Sequence, residues 1–147
     1  MRMNMKQDDI TLLKDIQKNT HMAMTAIDTL LDKAEDNEFI LNLSRQSIGY
    51  AKIHNDAVEQ LIEEGSGTYR SNQLNDMLLR GSIHANTLLN VSTSHLADMM
   101  IQGSNRGLMD MYKSVKHHTR AEAKSIELAQ ELMNFDKKSI EIMKEYL

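Results

Sequence analysis

The sequence predicts an all-α protein: an up-down-up-down four-helix bundle with a short extra helix between its second and third long helices. Three observations predict it. Apolar residues recur at three- and four-residue steps through four long stretches, the mark of helices that each bury one face. Proline is absent, so nothing forces a break inside those stretches. The apolar load falls on Leu, Ile, Ala and 12 Met, with 4 Tyr, 2 Phe and no Trp, a palette that favours helix over strand.

The first helix is predicted over residues 9–33, with Asp8 and Asp9 placing negative charge at its positive end. Its stripe is Ile10, Leu13, Ile16, Thr20, Ala23, Ile27, Leu30 and Ala34. Asp36 or Asn37 caps the second helix, predicted over 37–64, whose stripe runs Ile40, Leu43, Ser47, Ala51, His54, Val58 and Leu61, with Tyr50 beside it. Gly65-Ser66-Gly67 stops that helix, because glycine takes up the left-handed conformation at helix ends. The short connection at Glu35–Asn37 makes the first two helices antiparallel neighbours. Ser71 can cap a short helix over 72–80, and Gly81-Ser82 reads as a stop followed by a new cap, opening a third long helix over 83–117. An unbroken helix from Ser71 to His117 would reach ~70 Å and overhang its partners, so a break is needed, at Gly81 in preference to Gly103. Thr119-Arg120-Ala121-Glu122 reads as a capping box that starts the last helix, 120–146, with Ile126, Ala129, Met133, Asp136, Ile140, Met143 and Leu147 on one face.

No repeat, low-complexity tract or linker divides the chain, so residues 1–147 are expected to form one domain. A chain of 147 residues can build a core without staples, burying roughly 70% of its unfolded surface. With no Cys there is no disulfide framework, thiolate metal site or thiol nucleophile. The net charge of −4 argues against general nucleic-acid binding, which requires a basic surface. No apolar run approaches the ~18 residues of a membrane span, and the first residues lack the apolar stretch of a secretion signal, so the expected location is the cytoplasm.

The candidate chemistry lies in polar residues on apolar faces. His54 and Asp136 interrupt the second and last stripes, and His95 lies at the margin of the third. If the helices align in register, these three could meet near mid-bundle with Tyr50 close by, and two imidazoles with a carboxylate can hold a non-haem metal such as Fe, Mn or Zn. The plainer reading is a satisfied polar layer that sets helix register, since a buried polar group without a partner is costly. Met1-x-Met3-x-Met5, His21-Met22-x-Met24 and Met109-x-Met111 have thioether spacings that suit Cu(I), although Met also fills irregular core gaps. Gly103 and Gly107 lie one turn apart inside a helix, where two glycines cost about 2 kcal/mol relative to Ala. Close helix packing would offset that cost, with Gly49 as the partner; a ligand against the bare helix and a plain helix break are the alternatives. Lys113, Lys116, His117 and His118 complement a helix C-terminus. No nucleophile elbow is present, and no catalytic residue is assigned.

Two stretches carry a resemblance: Ala26-Ile27-Asp28-Thr29-Leu30-Leu31 and, more specifically, Thr93-Ser94-His95-Leu96-Ala97-Asp98-Met99-Met100-Ile101-Gln102-Gly103-Ser104. Together with the order and length of the helices, they resemble the ferritin-like superfamily, and within it small bacterial ferritin-like proteins of unknown function. The resemblance implies a four-helix bundle and no activity. Di-iron members place Glu-x-x-His on two helices, whereas none of the six histidines here has an acidic residue three positions earlier. The expectation is a non-catalytic bundle without a cofactor, acting by self-association, as a symmetric dimer, or by binding another protein. Met77, Leu79, Met109 and Tyr112 fall off the main stripes and are the surface candidates. The alternative is a metal-binding or redox protein with a reduced set at His54, His95 and Asp136.

Overall fold

Five helices account for most of the chain: α1 (Arg2–Leu31), α2 (Asn37–Glu63), α3 (Gln73–Thr87), α4 (Thr93–His117) and α5 (Ala123–Lys144). The computed structural model describes residues 2–147, with side chains from Met5 onward, and among them there is no strand. Met1 and the side chain of Met3 lie outside the described residues, and with them most of the first thioether cluster.

Helix punctuation follows local chemistry in places and tertiary contacts in others. Asp36 caps α2 by accepting from the amide of Phe39. At the other end Gly65 has φ +70°, the amide of Ser66 reaches the carbonyl of Leu61 at 3.0 Å and that of Gly65 reaches Ile62 at 2.9 Å. This six-to-one and five-to-two pair closes the helix. Asn72, rather than Ser71, caps α3 through the Leu74 amide. α3 runs through Gly81 to Thr87, so the break falls at residues 88–92 rather than at Gly81 or Gly103. Ser92 opens α4 by accepting from the His95 amide at 3.2 Å. Ser92→Ala should therefore lower stability by about 1 kcal/mol in urea unfolding, and an unchanged midpoint would show that the cap contributes nothing. The capping box does not form. Instead the amides of Arg120 and Glu122 donate to Asp8 and Asp9 of α1, at 3.2 and 3.1 Å, and Glu122 becomes the residue that opens α5. A carboxylate from another helix, Asp9, satisfies the Glu122 amide that Thr119 was expected to serve. α1 begins at Arg2, well before Asp9, so Asp9 sits inside the helix rather than at its start.

Cross-helix hydrogen bonds set the directions. Asp15 and Asn19 of α1 meet Ser114 and Gly107 of α4, so these two helices are antiparallel. Asn42, Tyr50 and Gln60 of α2 meet Tyr146, Asp136 and Ser125 in and just beyond α5, again antiparallel. Gln17, His21 and Asp28 meet Tyr69, Asp76 and Arg80, so α3 climbs alongside α1 in the same direction. The four long helices therefore run up, down, down, up, correcting the expected up-down-up-down order. The physical reason is α3: at 15 residues it spans ~22 Å and carries the chain back along the bundle before α4 starts.

One hydrophobic cluster draws on every helix, from Leu12, Leu13 and Ile16 through Phe39, Tyr50, Ile83, Leu96 and Met111 to Leu132 and Met143. On α2 the buried face is Phe39, Leu43, Gln46, Tyr50, Ile53, Ala57 and Leu61. That face is turned by about one residue from the expected stripe, because the larger apolar groups Phe39, Tyr50 and Ile53 go inward. His54 is left on its shoulder. Among the described residues no helix is long and apolar enough to cross a membrane.

Candidate functional site

The most chemically unusual place in the bundle is a polar layer between α2, α4 and α5. Tyr50 is fully buried and donates to Asp136 Oδ1 at 2.6 Å. Phe135 stands edge-on to the Tyr50 ring, with centroids 4.8 Å apart and an interplanar angle of 83°. Ser104 and Ser139 flank the Tyr50 hydroxyl. Asp136 is 1% exposed, yet its Oδ2 has no hydrogen-bond partner; the same holds for the Ser104 hydroxyl and both amide atoms of Gln46. Burial pushes the Asp136 carboxyl up to about 7, against a smaller opposing pull from the Tyr50 hydroxyl. Burial, with the neighbouring Asp136 charge adding to it, raises the Tyr50 phenol well above its ordinary value. A carboxyl and a phenol that both resist ionisation make a proton-holding pair. It is enclosed, with Asp136 and Tyr50 each cut off from solvent.

His54 and His95 stand apart from this pair. His54 Nδ1 lies 3.1 Å from Thr20 Oγ1 and 3.3 Å from the Gln17 carbonyl, both on α1. A carbonyl only accepts, so Nδ1 carries the proton. Burial lowers the His54 pKa, the Gln17 carbonyl works against that, and the nearby His21 adds to the lowering; the ring is a neutral imidazole at neutral pH. His95, at the start of α4, donates from Nε2 to the carbonyl of Asn86 at 2.8 Å and so ties the head of α4 to the tail of α3. Thus the three expected ligands take three different partners: Thr20 with Gln17, Asn86, and Tyr50. Among the described residues they form no group of metal-ligand atoms.

The glycines also find other neighbours than expected. A Cβ at Gly49 would lie 2.5 Å from Phe135 Cε2 and closer still to Cζ, so Gly49 admits an aromatic ring of α5 rather than the backbone of α4. Gly107 faces the Asn19 amide, which donates to the Gly107 carbonyl at 3.0 Å. Gly103 faces open space, with nothing within 4 Å of a Cβ there. Beside Gly49 and Phe135 lies a shallow groove of about 320 Å³, also lined by Lys52, Ile53, Glu131, Asn134 and Lys138.

Sequence reasoning found Tyr50 and Asp136 but missed Gln46, Ser104 and Ser139. A stripe phased on Phe39 and Tyr50 would have put Gln46 inside, but a lone Ser on a helix carries no comparable signal.

The outer surface shows a second feature. Leu74, Met77, Leu78, Leu88, Leu89 and Val91 are exposed, at 61, 69, 63, 80, 101 and 45%. Leu74, Met77 and Leu78 share the outer face of α3 at helical spacing, Leu88 follows them as the C-cap residue, and Leu89 and Val91 lie in the connection to α4. The inner face uses Leu79, Ile83 and Thr87 and packs on α1. Of the expected surface candidates, Met77, Met109 and Tyr112 are exposed, whereas Leu79 packs against the core. Comparison with known proteins finds no matching family model, no matching curated protein and no matching solved structure.

Proposed function

We propose that this chain is a cytoplasmic, bacterial, ferritin-like bundle that acts by association rather than catalysis, pairing with a second copy of itself through the outer face of α3. Two helical hairpins joined by one long crossover are the arrangement of ferritin-like folds, which supports the family reading. The observation that carries the functional reading is the apolar strip from Leu74 to Val91. An apolar surface of this extent is characteristic of a contact surface. The charges of α3 near it are already used within the chain: Asp76 pairs with His21 at 3.1 Å and Arg80 with Asp28 at 3.2 Å. What remains on offer is apolar and uncharged, which suits a like surface better than a charged partner. Two copies of α3 related by a two-fold axis would cover each other's Met77 and Leu78, and such symmetric dimers are the commonest closed assembly. Each large apolar side chain so covered contributes about 1.5–3 kcal/mol.

Light scattering on the eluting protein tests this. A dimer mass is expected, and Met77→Glu with Leu78→Glu should yield a monomer of unchanged helicity, because both side chains lie outside the core. A wild-type monomer at every accessible concentration, or a double variant that still dimerises, would refute it. No observation favours the reduced His/Asp metal set, since His54, His95 and Asp136 would each have to leave the partner described above.

A further inference from the structure

The end of the bundle away from the α1–α2 turn holds a cluster of carboxylates that neither the fold nor the α3 face explains. Asp9 of α1, Glu64 at the end of α2 and Glu122 at the head of α5 each bring one carboxylate oxygen within 4.8 Å of the others. Asp9 is 1% exposed. Its Oδ1 accepts from the Glu122 amide at 3.1 Å, which accounts for half of the group. Its Oδ2 is buried with no partner, and so is Glu64 Oε2. Two of the three clustered residues thus each carry an enclosed carboxylate oxygen without a donor, which calls for a positive charge or a water, because a native fold leaves few such atoms unsatisfied.

Among the described residues no ion pair supplies that charge, and the only positive end directed at the cluster is the α5 N-terminus, through the Glu122 amide already bonded to Asp9 Oδ1. None of the ion pairs among the described residues involves Asp9, Glu64 or Glu122; the closest in sequence joins Lys124 to Glu63 at the surface. Glu64 makes matters worse electrostatically, since it stands at the C-terminal, negative end of α2.

We propose that Asp9, Glu64 and Glu122 bind one hard divalent cation, Ca²⁺ in preference to Mg²⁺. The donors are all oxygen, the set that suits Ca²⁺, Mg²⁺ and Mn²⁺ and disfavours softer metals. The three oxygens already lie within 4.8 Å of one another, and Ca²⁺ takes oxygen ligands at roughly 2.3–2.6 Å in flexible, irregular arrangements, so a set drawn from three helix ends suits it. Mg²⁺ demands near-ideal octahedral geometry at roughly 2.0–2.1 Å and gives up its waters reluctantly, so it suits such a set less well. Glu122 is exposed and leaves a path for the ion and its remaining waters. The three ligands come from three helices, so the ion acts as a clip that ties α1, α2 and α5 at one end.

The test uses the full chain, stripped with chelator and dialysed, titrated with CaCl₂, MnCl₂ and MgCl₂ by calorimetry and followed by thermal unfolding. One Ca²⁺ per chain is expected, with Kd in the range of about 10⁻⁵–10⁻³ M and a rise in Tm of several degrees at saturation. Glu122→Gln, at an exposed position, should weaken binding at least tenfold without altering the unliganded fold, and Glu64→Gln should abolish it. No heat and no Tm shift with any of the three ions would overturn the proposal. Binding that both variants retain would also overturn it, by placing the ion elsewhere, for example in the acidic groove of Asp56, Glu59, Glu63, Glu127 and Glu131. Repeating the titration on the Met77→Glu, Leu78→Glu protein separates ion binding from self-association.

Discussion

Asp136→Asn is expected to make the protein more stable at pH 8 while leaving it nearly unchanged at pH 4. The folded-state carboxyl holds its proton up to about 7, against 3.8 for the free group, and the main cause is burial. The folded form therefore keeps a proton that the unfolded chain gives up. The Asp136 contribution is fully present below pH 3.8, declines as pH rises, and is gone above about 7. That difference in proton affinity corresponds to about 4 kcal/mol across the window. Asn has no charge to bury, its oxygen still accepts from Tyr50, and its NH₂ occupies the place of the unpartnered Oδ2. Urea unfolding at pH 4, 6 and 8 should show a wild-type decline that is largely missing from the variant. Every other titrating group is common to the two proteins, so their difference isolates Asp136. Parallel pH profiles for the two would remove the basis for a neutral carboxyl. Tyr50→Phe adds a directional check. It deletes the one interaction that favours the ionised carboxyl, so the decline should begin at the same pH and extend to a higher one.

Gly49→Ala should destabilise the bundle by about 2–3 kcal/mol, although Ala is the better helix former by about 1 kcal/mol. The added methyl enters the space of the Phe135 ring. The ring is only half-buried, so it can swing outward, but it then loses its edge-on contact with Tyr50. Phe135→Ala alone should also destabilise, through lost aromatic packing and the cavity left behind. In the Phe135→Ala background the sign should reverse, with Gly49→Ala becoming neutral or slightly stabilising. A double-mutant cycle measured by urea unfolding would yield that coupling. Additive effects would show that Gly49 has no special relation to the ring.

Much of the architecture was legible along the chain. Four long helices and the Asp36 and Gly65 boundaries follow from periodicity and from the chemistry of helix ends, which act over a few residues, whereas the first long helix begins seven residues before and the third ten residues after the expected starts. Errors arose where a distant group took over a local role. Thr119 and Glu122 form a sound capping box in sequence, but Asp9 of α1 takes the Glu122 amide and Asp8 the neighbouring amide of Arg120. Gly81 looked like a stop, yet an exposed glycine in a helix costs only about 1 kcal/mol, and α3 continues past it to Thr87. The candidate site divided in the same way. Tyr50 and Asp136 were on the right faces and do meet. His54, His95 and the glycine pairing depended on the rotation and register of separate helices, which no single segment encodes.

The sequence by itself determined that the chain is helical, where most helices start and stop, and that a few polar residues lie on apolar faces. These are properties of neighbours within one or two turns. Only the tertiary structure decided that the long helices run up, down, down, up, that α2 turns Phe39 and Tyr50 inward and leaves His54 at the edge, and that Asp9, Glu64 and Glu122 converge from three helices. Each of those outcomes is a choice among packings with similar local energies, and it is settled by which large side chains fill the shared interior and which buried oxygens find a partner there.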